Sequence, residues 1–230
     1  MSGTLTRLEA APDLVERVYE TLLDAISDGS LAAGVRLAQD EIAERLSVSR
    51  QPVLQALRLL KKDGFVEDAP GRGVRVAALG AREVAQIYEV RGVLEGLAAQ
   101  LAARARVAID PALIERGRRA LISADVGELI DADLAFHRAI YAASGNPLIG
   151  QTGAMHWRHL RRAMGASLTP EDGPRRTVWD EHEAIARAIA AGDAPLAQRL
   201  AHEHCTRAGA EMAARLQHAQ ERPSAAGDSR

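Results

Sequence analysis

The chain has 230 residues, of which 26% are charged and 47% are hydrophobic, and its formal net charge is −2. This composition is typical of a soluble globular protein, and no run of about 18 apolar residues occurs that could cross a membrane. The single cysteine, Cys205, excludes an internal disulfide framework, and together with an N-terminus that lacks a secretory signal it predicts a cytoplasmic protein.

Three helices are predicted at the start of the chain, where apolar residues recur at helical spacing. They lie between Asp13 and Gly29, between Gln39 and Leu46, and between Ser49 and Gly64. Two β-prone runs follow at residues 65–66 and 74–76, and the turn-forming residues 70–73 (Pro-Gly-Arg-Gly) separate them. Three helices and a β-hairpin wing predict a winged helix-turn-helix.

The third helix has the features of a DNA recognition helix. Its N-terminal end, which enters the major groove in such domains, offers Ser49, Arg50, Gln51 and Pro52. Arg50 suits guanine or a phosphate, and Gln51 suits adenine. The N-terminus of the helix itself favours a phosphate next to Ser49.

The local charge supports double-stranded DNA as the partner, although the net charge of the whole chain does not. Residues 45–75 hold seven basic and three acidic side chains, and Arg72 lies at the tip of the predicted wing. The alternative is a winged helix that binds another protein. The polar residues of the recognition helix and the basic wing together favour DNA.

Beyond Ala78 the sequence predicts helices only, arranged as an all-α antiparallel bundle. Four of them span residues 82–105, 125–143, 177–191 and 193–217. A further helix, between the second and the third of these, begins at Asn146-Pro147. The predicted organisation is therefore a flexible N-terminus (1–12), a winged helix-turn-helix domain (13–77), a linker (78–83), a helical domain (84–218) and a disordered tail (219–230).

Four polar side chains of the helical part fall on inward faces. Asp133 and His137 lie four residues apart within one apolar stripe, His182 belongs to a second stripe, and His204 points inward where His202 points outward. One carboxylate and three imidazoles form a suitable site for a divalent metal ion such as zinc, nickel or manganese. The alternative for each histidine alone is a core or surface role, which is how we interpret the remaining four histidines.

The first part of the chain resembles the N-terminal domain of GntR-family transcription regulators over residues 13–77. The resemblance is carried by the segments 34–37 (GVRL), 42–46 (IAERL), 48–50 (VSR), 52–53 (PV), 56–57 (AL), 63–64 (DG) and 71–73 (GRG). It implies that the positions of Ser49, Arg50, Gln51, Pro52 and Arg72 lie at the DNA interface. One departure is Leu54-Gln55, where the family usually has Arg-Glu, so the family's operator sequence cannot be assumed.

The rest of the chain resembles the FCD effector domain of the FadR subfamily. The matching segments are 87–91 (IYEVR), 94–95 (LE), 133–137 (DLAFH), 144–146 (SGN), 182–185 (HEAI), 192–193 (GD) and His204. The resemblance implies a divalent cation held by Asp133, His137, His182 and His204 at the floor of a cavity that binds small carboxylates. It places Arg91 near the effector; the alternative role of Arg91 is a structural ion pair with a nearby acid.

These features predict a homodimeric, metabolite-responsive transcription regulator, and repression relieved by the effector is favoured over activation. The competing class is a metal-dependent hydrolase, since an Asp/His/His/His site can activate water. No HExxH motif and no nucleophile set supports it, and Glu181 and Glu183 are expected to point away from a ligand on the His182 side. A plain helical scaffold leaves the inward polar residues unexplained.

Overall fold

The computed structural model describes residues 14–123, 125–167 and 176–221. The chain divides between Ala78 and Leu79 into two compact units. The predicted flexible N-terminus and Asp13, at the start of the first predicted helix, lie outside the described residues, as does the predicted tail from residue 222 onward. The described part is mainly α-helical with one small sheet, which confirms the predicted fold class.

The first unit is a winged helix-turn-helix. Its elements are α1 (Leu14–Ser27), β1 (Arg36–Leu37), α2 (Gln39–Leu46), α3 (Arg50–Lys62), β2 (Val66–Asp68) and β3 (Val74–Val76). Apolar residues of all three helices and of the wing form its core. Among them, Ile26, Val53, Leu60 and Phe65 are fully buried. The positive φ of 78° at Gly64 lets the chain leave α3 and enter the wing.

The sheet has three antiparallel strands in the order β1-β3-β2, one more than the predicted hairpin. In the additional pairing, Arg36 lies opposite Arg75 and Leu37 opposite Val74. Sequence patterns cannot detect β1, because two residues are too few for an alternating pattern. The strand attaches the loop before α2 to the wing.

The second unit contains only helices among its described residues. They are α4 (Ala81–Ala105), α5 (Pro111–Ser123), α6 (Val126–Ala143), α7 (Pro147–Ser167), α8 (Arg176–Ala191) and α9 (Ala194–Glu221). Asp125, where the sequence predicts this part of the chain to become helical, is the N-cap of α6 and accepts a hydrogen bond from the Glu128 amide at 3.0 Å. The sequence prediction missed α5, although Asp110 and Pro111 form a typical start, with the Ala112 amide donating to Asp110 at 2.9 Å.

The buried face of α4 leaves out several of its large apolar side chains. Val90 and Leu97 are 49% and 37% exposed, and Val93 between them is 64% exposed. The face with small and charged residues is buried instead, because α9 approaches it closely: a Cβ added at Gly96 would lie 3.2 Å from a backbone oxygen of α9. None of the described helices is long and apolar enough to span a membrane.

Candidate functional site

The predicted DNA-binding face of the first unit contains a groove of about 680 Å³ between α3, the loop before α2 and the wing. Five basic side chains line it, namely Arg36, Arg50, Arg58, Lys61 and Arg72. Two acidic side chains, Asp40 and Asp68, also line the groove. The face therefore suits the phosphates of a duplex, but it is not uniformly positive.

The predicted DNA contacts divide into exposed and buried residues. Ser49, Arg50 and Gln51 are exposed at the N-terminal end of α3, where a recognition helix meets base edges. Ser49 is the N-cap residue, but its side chain makes no capping hydrogen bond, so the hydroxyl is not engaged by its own helix. Pro52 is buried, and it therefore shapes the first turn of α3 rather than offering a contact surface.

The wing tip places Arg72 on the opposite wall of the groove. Gly71 and Gly73 flank it with φ values of 89° and 93°, which only glycine adopts readily. The backbone carbonyl of Arg72 accepts a hydrogen bond from the guanidinium of Arg36, so β1 holds the wing tip. Leu54 is half-buried and also lines the groove. It stands at the position where the family that this part resembles usually has an arginine.

In the second unit, the structure brings together three histidines from three helices. His137, His182 and His204 are all buried, and each offers a ring nitrogen within 4.8 Å of the other two. The Nε2 atoms of His182 and His204 are 3.1 Å apart. Two nitrogen ligands of one tetrahedral zinc ion lie roughly 3.4 Å apart, so this spacing suits a shared metal.

Asp133, the fourth predicted ligand, lies near two of these histidines. Its Oδ1 lies 3.6 Å from His182 Nε2 and 3.9 Å from His137 Nε2, and its side chain is 17% exposed. Burial, together with the nearby His204, His137 and Arg91, lowers the pKa of His182 well below its usual value. His182 is thus a neutral imidazole, the form in which histidine binds metal ions.

Two glutamates that the sequence did not assign to the site lie against the outer nitrogens of His137 and His204. Glu95 Oε2 lies 2.9 Å from His137 Nδ1, and Glu181 Oε2 is hydrogen-bonded to His204 Nδ1 at 2.7 Å. A carboxylate on the outer ring nitrogen is the usual partner of a metal-bound histidine. Glu181 therefore contacts the site, contrary to our expectation that it points away, because it reaches across to the neighbouring helix.

Arg91 and Glu95 form a buried ion pair below the histidines. Arg91 lies 2.9 Å from Glu95 Oε1, and the two side chains are 2% and 1% exposed. Tyr141 donates to the same oxygen at 2.7 Å, and the Trp157 ring lies 3.8 Å from the guanidinium carbon. Burial acts to raise the pKa of Glu95, but His137, Arg91 and Tyr141 lower it to about 2.

A small cavity of about 60 Å³ adjoins the histidines. Its wall includes Arg91, Asp133, His137 and His204, and Arg207 lies at the same wall, 2.6 Å from Glu181. This volume holds a few water molecules or one small polar group. Arg91 thus forms the structural ion pair that we considered as its alternative role, and it also lines the cavity.

Cys205 and the remaining four histidines are not among the predicted site residues. Burial raises the pKa of Cys205 to about 12, so its thiol stays protonated at neutral pH. His202 and His218 are exposed, and His156 and His159 are half-buried on α7, in line with the surface or structural roles expected for them.

Two family models match the chain. Residues 14–76 match the bacterial regulatory proteins of the gntR family, and residues 86–207 match the FCD domain. One match lies in each of the two compact units.

Relatives and a solved structure agree with these matches. The HTH-type transcriptional regulator LutR of Bacillus subtilis is 32% identical over 79% of this chain and 93% of its own. A probable D-xylose utilization operon transcriptional repressor of Paenarthrobacter nicotinovorans is 27% identical over 88% of both chains. The crystal structure of a GntR transcriptional regulator, described as putative, from Rhodococcus sp. RHA1 has a TM-score of 0.70 at 25% identity and covers 86% of this chain and 96% of its own.

Replacement of Glu95 by glutamine tests the buried ion pair. At neutral pH, Glu95→Gln should lower the free energy of unfolding by about 3–5 kcal/mol, because it leaves Arg91 buried without a counter-charge. The lowered pKa of Glu95 means that its contribution is complete above about pH 4.5 and is lost as the pH falls toward 2, so the deficit should shrink in that range.

Urea unfolding of the chelator-treated protein at pH 7 and pH 3 measures both effects. Glu89→Gln is the matched control, since Glu89 is exposed on the same helix and its loss should change stability by less than about 0.5 kcal/mol. Equal stability of the two variants at pH 7 would contradict the role of the ion pair.

Proposed function

The chain belongs to the gntR family of bacterial regulatory proteins and carries an FCD domain, and from this we propose that it is a metabolite-responsive repressor that binds operator DNA as a homodimer. Its relatives are transcription regulators and not enzymes, so the chain is a DNA-binding regulator rather than a hydrolase. One relative is by name a probable repressor, which supports repression as the sign of regulation.

The observation that carries the DNA-binding site is the position of Arg50 and Gln51. Both are exposed at the N-terminal end of α3, and Arg50 lines the basic groove that Arg72 closes from the wing. Arg50 recognises guanine, Gln51 recognises adenine, and Ser49 and Arg72 bind the phosphate backbone. Pro52 contributes by setting the direction of the first turn of the helix.

In the second unit, His137, His182, His204 and Asp133 hold a divalent metal ion. The proposal rests on the 3.1 Å spacing of two Nε2 atoms and on the carboxylates at the outer nitrogens of His137 and His204. Three nitrogens and one oxygen suit zinc, nickel or manganese. When bound, the cation offers a Lewis-acidic contact to an oxygen of the effector.

The effector is a small carboxylate that enters the cavity beside the histidines. Arg91 and Arg207 line the wall and provide positive charge, while the cavity of about 60 Å³ admits only a small group without rearrangement. Arg91 attracts the effector carboxylate through its positive charge, and its ion pair with Glu95 holds the guanidinium in place. Effector binding then alters the population of conformations that bind DNA.

The homodimer forms through α4 of the helical unit. Val90, Val93 and Leu97 follow one another at helical spacing and leave an apolar stripe exposed on this helix. An exposed apolar stripe of this kind is typical of a surface that another molecule covers. A second copy of the chain is the occupant that a two-fold symmetric operator requires.

Replacement of Arg50 by alanine tests the recognition helix. Arg50→Ala should weaken binding to a duplex from the chain's own promoter region by about 1–3 kcal/mol and relax the preference at one base pair, because a bidentate contact to guanine is lost. Electrophoretic mobility shifts measure both changes. Arg45→Ala is the control: it removes the same charge from the exposed end of α2, outside the groove, and should have little effect on binding. An equal loss of duplex affinity in both variants would contradict the proposed contact between Arg50 and guanine.

Replacement of Glu181 by glutamine tests the metal site. Glu181→Gln should lower the affinity for Zn²⁺ by about 10–100-fold, because the outer nitrogen of His204 loses its carboxylate partner. Calorimetric titration with Zn²⁺ measures the change. Glu183→Gln is the control, since Glu183 pairs with Arg118 on the outer side of the same helix. His182→Ala should abolish binding, and unchanged Zn²⁺ affinity in that variant would remove the site.

Replacement of Val93 by glutamate tests the dimer surface. Val93→Glu should convert the dimer into a monomer, because the charged side chain would have to be buried at the contact. Sedimentation velocity measures the oligomeric state. Ile122→Glu places the same charge on α5, where the side chain is 85% exposed, and should leave the dimer intact. A dimeric Val93→Glu protein would show that α4 is not the contact.

A further inference from the structure

An acidic residue stands next to the arginine that is proposed to recognise bases. Asp40 on α2 and Arg50 at the start of α3 form an ion pair in which Arg50 Nε lies 2.6 Å from Asp40 Oδ1. Both residues line the groove of the DNA-binding face. A carboxylate at a surface that binds phosphates requires an explanation, because it repels them.

The ion pair does not serve the stability of the fold. The side chains of Arg50 and Asp40 are 75% and 66% exposed, and pairs this exposed contribute at most about 1 kcal/mol. The packing of α2 against α3 depends instead on buried residues such as Ile42, Val53 and Ala56. The pair therefore acts on the direction of the guanidinium and on the potential of the DNA-binding face.

The geometry of the pair suits the recognition of guanine. The closest ion-pair contact of Asp40 is with Nε of the guanidinium, which leaves the two terminal amino groups for a ligand in the groove. Those two groups are the donors that bind O6 and N7 of guanine side by side. A phosphate, in contrast, would meet the negative charge of Asp40 next to the arginine.

We propose that Asp40 is a specificity-determining residue, which holds Arg50 through Nε and directs it to a guanine edge instead of the phosphate backbone. The inference rests on the proposed role of Arg50 as a base contact. Asp40 lowers the affinity for arbitrary DNA and raises the ratio between the operator and arbitrary DNA. It acts as a positioning residue, since it touches Arg50 and not the base.

The second acidic residue of the groove provides a matched control. Asp68 on β2 pairs with Lys61 at 2.6 Å and is 74% exposed, so Asp68→Asn removes the same charge from the same groove without touching Arg50. If the charge alone matters, Asp40→Asn and Asp68→Asn should behave alike. If Asp40 positions Arg50, only Asp40→Asn should change the specificity.

The experiment uses the full chain and two duplexes of equal length and composition. One duplex is selected from a random library with the wild-type protein, and the other is a scrambled version of it. The ratio of the two affinities is measured by fluorescence anisotropy at several salt concentrations. Selection is repeated with Asp40→Asn, Asp68→Asn and Arg50→Ala to identify the base pair that each variant no longer prefers.

For Asp40→Asn we expect tighter binding to the scrambled duplex, a specificity ratio reduced by roughly tenfold, and a steeper salt dependence by about one counterion as Arg50 turns to a phosphate. The lost preference should fall at the same base pair as in Arg50→Ala. For Asp68→Asn we expect tighter binding to both duplexes and an unchanged ratio.

Two results would overturn the proposal. The same ratio in Asp40→Asn and Asp68→Asn would reduce Asp40 to a general charge. A lost preference at a different base pair would show that Asp40 itself recognises a base, for instance by accepting from the amino group of cytosine. If Arg50→Ala shows no loss of preference, the proposed role of Arg50 fails first, and the two failures are thereby distinguished.

Discussion

The buried ion pair between Arg91 and Glu95 is the constraint on which the helical unit depends. Removing two charges from water costs several kcal/mol for each ion, so the surrounding groups must compensate closely. Tyr141 supplies a hydrogen bond from α6, and Trp157 covers the guanidinium from α7. Because these partners come from different helices, the pair fixes the rotation of α4 against its neighbours.

The same glutamate connects this core to the histidine cluster. One oxygen of Glu95 meets Arg91 and Tyr141, and the other lies 2.9 Å from His137 Nδ1. The inner nitrogen of His137 is consequently oriented by the residue that satisfies the buried arginine. The histidine cluster is therefore not an addition to the surface of the bundle: its geometry follows from the way the bundle neutralises its own buried charge.

The sequence predicted the elements that depend on local patterns and missed those that depend on packing. The turn signal around Arg72 and the cap at Asp125 are local, so the wing and α6 were predicted correctly. The inward direction of His137, His182 and His204 followed from helical periodicity and is confirmed by their burial. The structure also brings the three together, as the hypothesis of a shared site requires.

The rotation of α4 and the role of Glu95 could not be predicted, for one shared reason. Periodicity assigns large apolar residues to the inside, whereas here small residues let α9 approach and the charged pair occupies the core beside them. The prediction that Glu181 points away from the site was wrong because its partner, His204, lies on another helix. A single sequence shows which face a residue occupies, but not which residue of a neighbouring helix meets it.

In the predicted DNA-binding face, as in the core of the helical unit, an acidic residue pairs with an arginine, but here the pairing involves less free energy. In the helical unit, an acid that holds an arginine is buried and determines the fold; in the groove, Asp40 holds Arg50 where both remain in water, so little stability is involved. The proposed role of this pair is to limit the attraction of Arg50 to any phosphate of the duplex. The proposed role of Asp40 therefore implies that base recognition, rather than general electrostatic attraction, accounts for the larger share of operator affinity in a regulator with a net charge of −2 and acids within its groove.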